Sequence, residues 1–90
     1  MLFMVIERFR DRNAVAVYRR HRDRGRMFPE GLNYIDSWVE PNFERCFQLM
    51  ECDDPNLFQQ WIEHWQDLVE FEVIPVITSQ EARDTISMLL

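Results

Sequence analysis

Three polar residues that could do acid–base chemistry lie in segments where apolar and polar residues alternate. They are Tyr34, Asp36 and Glu72. Carboxyl groups that share a partly buried space raise one another's pKa, so one of them can give or take a proton near neutral pH. The sequence therefore predicts an acid–base site in which Tyr34, Asp36 and Glu72 are the catalytic residues.

A second set of side chains could hold a small molecule beside these three. Arg26 precedes a turn that contains proline and glycine, where a guanidinium could pair with a ligand carboxylate. His64 lies between two tryptophans at the border of an apolar helix face, so it is either a rim residue or a catalytic base. The alternative is that these polar groups form hydrogen bonds across a subunit interface. The predicted ligand-binding residues are Glu7, Arg26, Trp38, Gln48 and His64.

The motifs give no support for a metal centre or a nucleotide cofactor. Cys46 and Cys52 would be about 20 Å apart on one strand, too far for a disulfide, and small core residues are the simpler interpretation. Gly25 and Gly31 are the only glycines, so the chain has no phosphate-cradling loop. The cysteines and histidines lack the spacing of zinc ligands. We therefore expect neither a metal nor a cofactor.

The charges are divided unevenly along the chain. All ten basic residues are arginines; residues 1–26 carry a net charge of +5, and residues 27–90 carry −11. A basic cluster at residues 19–26 is compatible with a nucleic acid partner. The third predicted strand, however, lacks the aromatic pattern of an RNA-recognition strand. We therefore expect no nucleic acid partner, and we expect the arginines to pair with acids of the later part.

The chain has 90 residues, a length that allows one domain. Its hydrophobic pattern predicts several short helices and strands. Asn13 can cap a helix that Gly25 ends, a broad apolar stripe predicts a second helix, and a third begins at Ser79. Apolar, β-branched and aromatic runs predict four strands. The predicted strands are residues 2–9, 32–40, 44–51 and 69–77, and the second helix covers residues 57–68.

The order β-α-β-β-α-β followed by a helix is typical of a ferredoxin-like α+β sandwich, with two helices on one face of an antiparallel sheet. The single domain covers residues 1–90. The longest apolar run, residues 2–6, is too short to cross a membrane or to form a signal peptide. No membrane partner and a cytoplasmic location are therefore expected.

Alternation along the strands divides their residues between the two faces of the sheet. Leu2, Met4 and Ile6 are predicted to face the helices. The opposite face would then be partly apolar, and soluble monomers seldom leave such a patch in water. A homodimer that joins two sheets around a barrel-like space is therefore expected. The residues assigned to that open face include Phe3, Val5, Glu7, Tyr34, Asp36, Trp38, Cys46, Gln48, Met50, Glu72 and Ile74.

Several segments together resemble a family of short bacterial proteins known only as a domain of unknown function. The likeness extends from residue 1 to about residue 80. It implies the dimeric α/β-barrel superfamily, whose relatives include monooxygenases without cofactors, muconolactone isomerases, polyketide cyclases and haem-binding enzymes. The segments that carry the resemblance are residues 1–7, 18–20, 24–27, 29–32, 34–38 and 46–51.

Two hypotheses of different classes follow. The first is a small enzyme that works without a cofactor as a monooxygenase, isomerase or cyclase on a small organic compound, an activity implied by the superfamily alone. The second is a non-catalytic protein that binds a ligand or another protein. A solvent-filled space that brings acids and aromatic residues together would favour the first, and a fully packed interface would favour the second.

Overall fold

The computed structural model describes all 90 residues of the chain. Strands and helices follow one another in the order β-α-β-β-α-β-α, so the predicted order of elements is confirmed. A short 3₁₀ turn at Arg10–Arg12 precedes the first helix. The strands are β1 (Leu2–Phe9), β2 (Asn33–Val39), β3 (Arg45–Glu51) and β4 (Val69–Val76), and the helices are α1 (Ala14–Arg24), α2 (Leu57–Ile62) and α3 (Ser79–Ser87).

The four strands form one sheet in the order β2-β3-β1-β4. Every neighbouring pair is antiparallel. The first helix joins β1 to β2, and the second joins β3 to β4, so each connects two strands that are not neighbours. This α+β architecture is consistent with the predicted ferredoxin-like fold.

Helix α1 begins and ends where its residue types predict. The Asn13 side chain accepts a hydrogen bond from the Ala16 amide at 3.1 Å, which caps the first turn. Gly25 follows the last turn with φ 69° and ψ −164°, a conformation that only glycine adopts without strain. None of the helices is long and apolar enough to cross a membrane.

Helix α2 is shorter than the pattern predicts. The predicted helix covers residues 57–68, but regular helix ends at Ile62 and residues 63–68 continue as turns. The amides of His64 and Trp65 bond to carbonyls three residues back, at 3.1 and 2.9 Å, rather than four. This tighter spacing winds the chain as short 3₁₀-like turns.

Aromatic rings form the centre of the core between the sheet and the helices. Trp61 packs edge-on against Phe71 of β4, with ring centroids 5.1 Å apart. The indole N–H groups of Trp61 and Trp65 both donate to the backbone carbonyl of Arg26, each at 3.1 Å. Because a buried indole needs an acceptor, this shared carbonyl fixes the segment after α1 against α2.

The helices cover the face of β1 that was predicted to lie away from them. Phe3 lies against Phe58 of α2, with ring centroids 5.0 Å apart, and Phe9 lies against Tyr18 of α1 at 6.2 Å. Glu7, two residues before Phe9, shares this inner face of the sheet. The prediction of which face of β1 and β3 lies against the helices was wrong. Both faces of these strands are apolar, so the charged Glu7 decided the prediction and was placed on the face away from the helices.

A register shift in β2 separates predicted site residues from one another. Tyr34 pairs with Met50 of β3, whereas Asp36 pairs with Leu49, so one extra residue lies between the two pairs. Such a bulge reverses the alternation of side chains. Tyr34 therefore lies on the inner face, while Asp36 and Trp38 lie on the opposite, outer face.

The outer face of the sheet has an apolar centre with charged residues near its margin. Both crossover helices lie on the inner face, so no helix between the strands covers it. At the margin, Arg8 and Glu72 approach to 3.6 Å, and Trp38 is 53% exposed. An apolar face is therefore present as predicted, but it consists of the alternate residues of β1 and β3. Its centre is formed by Met4, Ile6, Phe47, Leu49 and Ile74.

Ion pairs join the basic first part of the chain to the acidic later part, as the charge division predicts. The two terminal guanidinium nitrogens of Arg20 each donate to the Asp67 carboxylate at 2.7 Å, and Arg10 approaches Glu70 to 3.1 Å. Exposed pairs of this kind contribute about 0–1 kcal/mol each. The arginines therefore orient surface segments more than they stabilise the fold.

Candidate functional site

A cavity of about 90 Å³ lies between the inner face of the sheet and the helices. This volume is enough to hold several water molecules. Strands β1, β2 and β3, helix α1 and the segment after α1 contribute its polar groups, while Trp61 and Trp65 contribute apolar walls. The polar side chains at the cavity are Glu7, Tyr18, His21, Arg26, Ser37, Cys46 and Gln48.

Glu7 is the carboxyl group of this cavity. Burial raises the pKa of the Glu7 carboxyl from 4.5 to about 7, and a hydrogen bond from the Cys46 thiol and the charge of Arg26 offset only part of that rise. A carboxyl with this pKa is divided between its acid and its base form at neutral pH. Such a group can both give and take a proton under physiological conditions.

Cys46 stands beside Glu7 but does not behave as a nucleophile. Burial raises the pKa of the Cys46 thiol to about 12, and the neighbouring Glu7 adds to the rise. The thiolate is the reactive form of cysteine, so at neutral pH Cys46 remains a protonated thiol. Its role at the site is therefore that of a hydrogen-bond donor to Glu7.

Arg26 supplies a positive charge to the cavity. Its guanidinium carbon lies 3.7 Å from the centroid of the Tyr34 ring, a cation–π contact. Arg26 is absent from the seven ion pairs of the chain. Its backbone is held by the two indoles, so the guanidinium is an oriented cation without a carboxylate partner.

Gln48 adds an amide to the inner face of the cavity. It is 5% exposed, and its nitrogen donates to the Met50 sulfur at 3.2 Å. A thioether is a weak acceptor. The Gln48 amide is therefore a buried polar group of the cavity with only a weak protein partner, which leaves it suited to hydrogen-bond a bound molecule.

The structure brings together only some of the residues that the sequence singles out. Glu7, Arg26 and Gln48 line the cavity, and Tyr34 joins them through its contact with Arg26. The remaining predicted residues lie elsewhere: Asp36, Trp38 and Glu72 are on the outer face, and His64 is exposed in the turns after α2. One chain therefore does not form a single pocket from the predicted residues. Tyr34 and Gln48 lie on the inner face of the sheet, whereas the outer face carries Asp36, Trp38 and Glu72.

Sequence reasoning also missed residues at the cavity. Cys46 was interpreted as a small core residue, yet it lines the cavity together with His21 and Ser37. Ser37 forms a 2.6 Å hydrogen bond with the Tyr34 hydroxyl. The one signal available was Glu7 itself, a carboxylate that directly follows five apolar residues. In the structure it lies opposite Cys46 in the register of β1 and β3.

The arrangement combines a proton-exchanging acid, a fixed cation and an aromatic wall. A ligand anion can pair with Arg26 while a neighbouring atom approaches Glu7. No group of three or more histidine, cysteine, aspartate and glutamate side chains is placed to hold a metal ion. The chemistry that these residues can do by themselves is binding and proton transfer.

Comparison with known proteins places the chain in a family. Over residues 1–90 it matches the model of DUF3303, described as a domain of unknown function. None of the curated proteins compared with the chain matches it. The match covers the cavity residues and all the secondary-structure elements. The chain therefore belongs to the DUF3303 family.

Proposed function

We propose that the protein binds a small organic molecule with an acidic group in the cavity and moves a proton within it. The observation that supports this most is Glu7, a carboxyl with a pKa of about 7 in a cavity that also holds the unpaired guanidinium of Arg26. Ligand sites usually measure about 300–1,000 Å³, so a cavity of about 90 Å³ fits only a small molecule.

The reaction that suits these groups is an isomerisation by proton transfer. Ionised Glu7 takes a proton from a carbon next to a carbonyl group, and the electron pair of the C–H bond moves into an enolate. Arg26 stabilises the negative charge of that enolate. Protonated Glu7 then returns the proton to another atom of the ligand. The cycle regenerates Glu7 and consumes no oxidant or cofactor.

The proposal includes a homodimer joined through the outer face, in a dimeric α/β barrel of the superfamily that the sequence resembles. The apolar centre of the outer face supports this partner, because a two-fold axis lets such a face cover itself. Asp36, Trp38 and Glu72, which lie on the edge strands β2 and β4, would then lie along the edges where the two sheets meet. The free thiols of Cys46 and Cys52 support a cytoplasmic location.

Ligand binding can be measured from the indole N–H signals of Trp61 and Trp65, whose acceptor is the Arg26 carbonyl. Pyruvate, a small keto acid with exchangeable C–H groups, is expected to shift both signals in ¹H–¹⁵N spectra. Arg26→Ala is expected to weaken binding by about tenfold, or 1.4 kcal/mol. Arg24→Ala, which alters an exposed arginine outside this cavity, should leave the affinity unchanged.

Proton transfer can be followed as deuterium uptake by the pyruvate methyl group in D₂O. Glu7→Gln is expected to slow protein-dependent uptake by at least about 100-fold, the usual scale of a general base, with binding retained. Equal uptake with Glu7→Gln would contradict the catalytic role and leave the alternative of a non-catalytic ligand-binding protein. No indole shift with pyruvate or acetate at millimolar concentration would contradict binding in the cavity.

A further inference from the structure

Helix α3 is a formed helix without a partner surface. All nine of its residues are exposed. Thr78 caps it by accepting a hydrogen bond from the Glu81 amide at 3.1 Å, so its start is well defined. Ala82, Ile86 and Leu89 follow one another at helical spacing and form an apolar stripe. Ile86 is 50% exposed and Leu89 78%.

The length of α3 and the shape of the chain both indicate that this stripe packs against another surface. Helices shorter than about 12 residues are marginal in water unless an apolar face is packed, and α3 has nine residues. The radius of gyration is 15.0 Å, whereas a compact domain of this length has about 12 Å. The chain therefore extends α3 away from the body that the other elements form.

The sheet offers an unpartnered apolar surface at its far edge. Ile35 and Trp38 of the edge strand β2 are 47% and 53% exposed, the most exposed large apolar side chains of the sheet. Strand β4, which leads into α3, is the opposite edge. Three strand spacings of about 4.8 Å separate the two edges within one chain.

We propose that α3 is exchanged between two copies of this chain, so that its apolar stripe packs on Ile35 and Trp38 of β2 in the partner. This inference rests on the dimer of the proposed function. When a two-fold axis runs parallel to the strands between two facing sheets, β4 of one protomer lies over β2 of the other. The register places Val76 level with Leu2, Glu51 and Asn33, so α3 leaves β4 near the end of β2 where Ile35 lies.

The area of the interface also favours exchange. An outer face of four strands measures about 400 Å², whereas a stable interface buries about 800 Å² on each partner. A stripe about 14 Å long and about 10 Å wide adds about 140 Å² of buried helix surface per protomer, since the sheet surface that it covers is already counted in the outer face. The exchanged helices therefore raise the buried area from about 400 Å² to about 540 Å² per protomer, closer to the usual interface size than the face alone.

A paired substitution tests the role of the stripe. The double variant Ile86→Glu with Leu89→Glu is expected to raise the dimer dissociation constant at least about 100-fold, measured by sedimentation equilibrium. The matched control, Gln80→Glu with Ser87→Glu, adds the same charge on the opposite side of α3 and should leave dimerisation unchanged. Because α3 is exposed within the chain, both variants should retain the fold of residues 1–76.

Cross-linking identifies the surface that α3 covers. When separately made Ile35→Cys and Ile86→Cys variants are mixed, a short bismaleimide is expected to join the two different chains; wild type, whose cysteines are buried, should not react. Exchange of α3 would be overturned, and the dimer would not, by either of two results. The stripe variant could dimerise with wild-type affinity, or a chain that carries both Ile35→Cys and Ile86→Cys could be cross-linked only within itself. A wild-type monomer at micromolar concentration would overturn both.

Discussion

Replacing Trp61 by alanine is expected to lower the free energy of unfolding by about 3–5 kcal/mol. Trp61 is 2% exposed and forms one wall of the cavity. Its ring contacts Phe71 at 5.1 Å and Phe28 at 5.3 Å between centroids. The substitution removes these contacts and the indole hydrogen bond to Arg26. Domains are stable by only about 5–15 kcal/mol, so this change removes a large part of the stability.

A second variant separates the hydrogen-bonding part of this effect from the packing part, and a third serves as the control. Trp61→Phe keeps an aromatic ring but removes the N–H donor, and it is expected to cost about 1–2 kcal/mol. His64→Ala changes an exposed side chain three residues later and should cost less than about 0.5 kcal/mol. Urea unfolding measures all three. A loss for Trp61→Ala no larger than that for His64→Ala would contradict the position of Trp61 in the core.

The second large effect concerns pH. The pKa of Glu7 in the folded chain is about 7 and its ordinary value is 4.5, so the folded state binds the proton more tightly than the unfolded state. The stability associated with protonated Glu7 is complete below about pH 4.5 and is lost as the pH rises through 7. The difference of about 2.5 pKa units corresponds to about 3 kcal/mol.

Glu7→Gln is expected to remove this loss, because a neutral amide does not ionise. Wild type should therefore lose up to about 3 kcal/mol between pH 5 and pH 9 relative to Glu7→Gln. Glu63→Gln, an exposed substitution at the end of α2, should follow wild type. Arg20 and Arg45 hold the pKa values of the ion-paired Asp67 and Glu40 below their ordinary range, so the stability from these two carboxyls is present at neutral pH and is lost only in acid. Parallel stability curves for wild type and Glu7→Gln would contradict the raised pKa.

The elements of the fold could be predicted because each has a local physical cause. Asn13 and Gly25 delimit α1 through a side-chain cap and a positive φ, both properties of the residue types themselves. The end of α2 could not be predicted in the same way. Its apolar stripe continues through Trp65 and Leu68, and the change to tighter turns leaves no distinct mark in the residue types.

The composition of the site was harder to predict because it depends on which face of each strand the helices cover. On β1 both faces are apolar, so alternation alone does not identify the inner one, and burial of Glu7 opposes the usual expectation for a carboxylate. On β2 the bulge before Asp36 reverses the alternation, and no residue in that segment signals it. Arg26 and Gln48 could nevertheless be predicted, Arg26 because it precedes the turn with proline and glycine, and Gln48 because it is a polar residue between apolar neighbours in a strand.

The most direct test of the account is the titration of the Glu7 side-chain carboxyl by ¹³C NMR, with its signal assigned by its loss in Glu7→Gln. We predict a midpoint near pH 7, well above the ordinary value of 4.5, because the carboxyl lies in the cavity. A midpoint near the ordinary value of 4.5 would contradict the central claim, since Glu7 would then be fully ionised at neutral pH and unable to serve as an acid in the cavity.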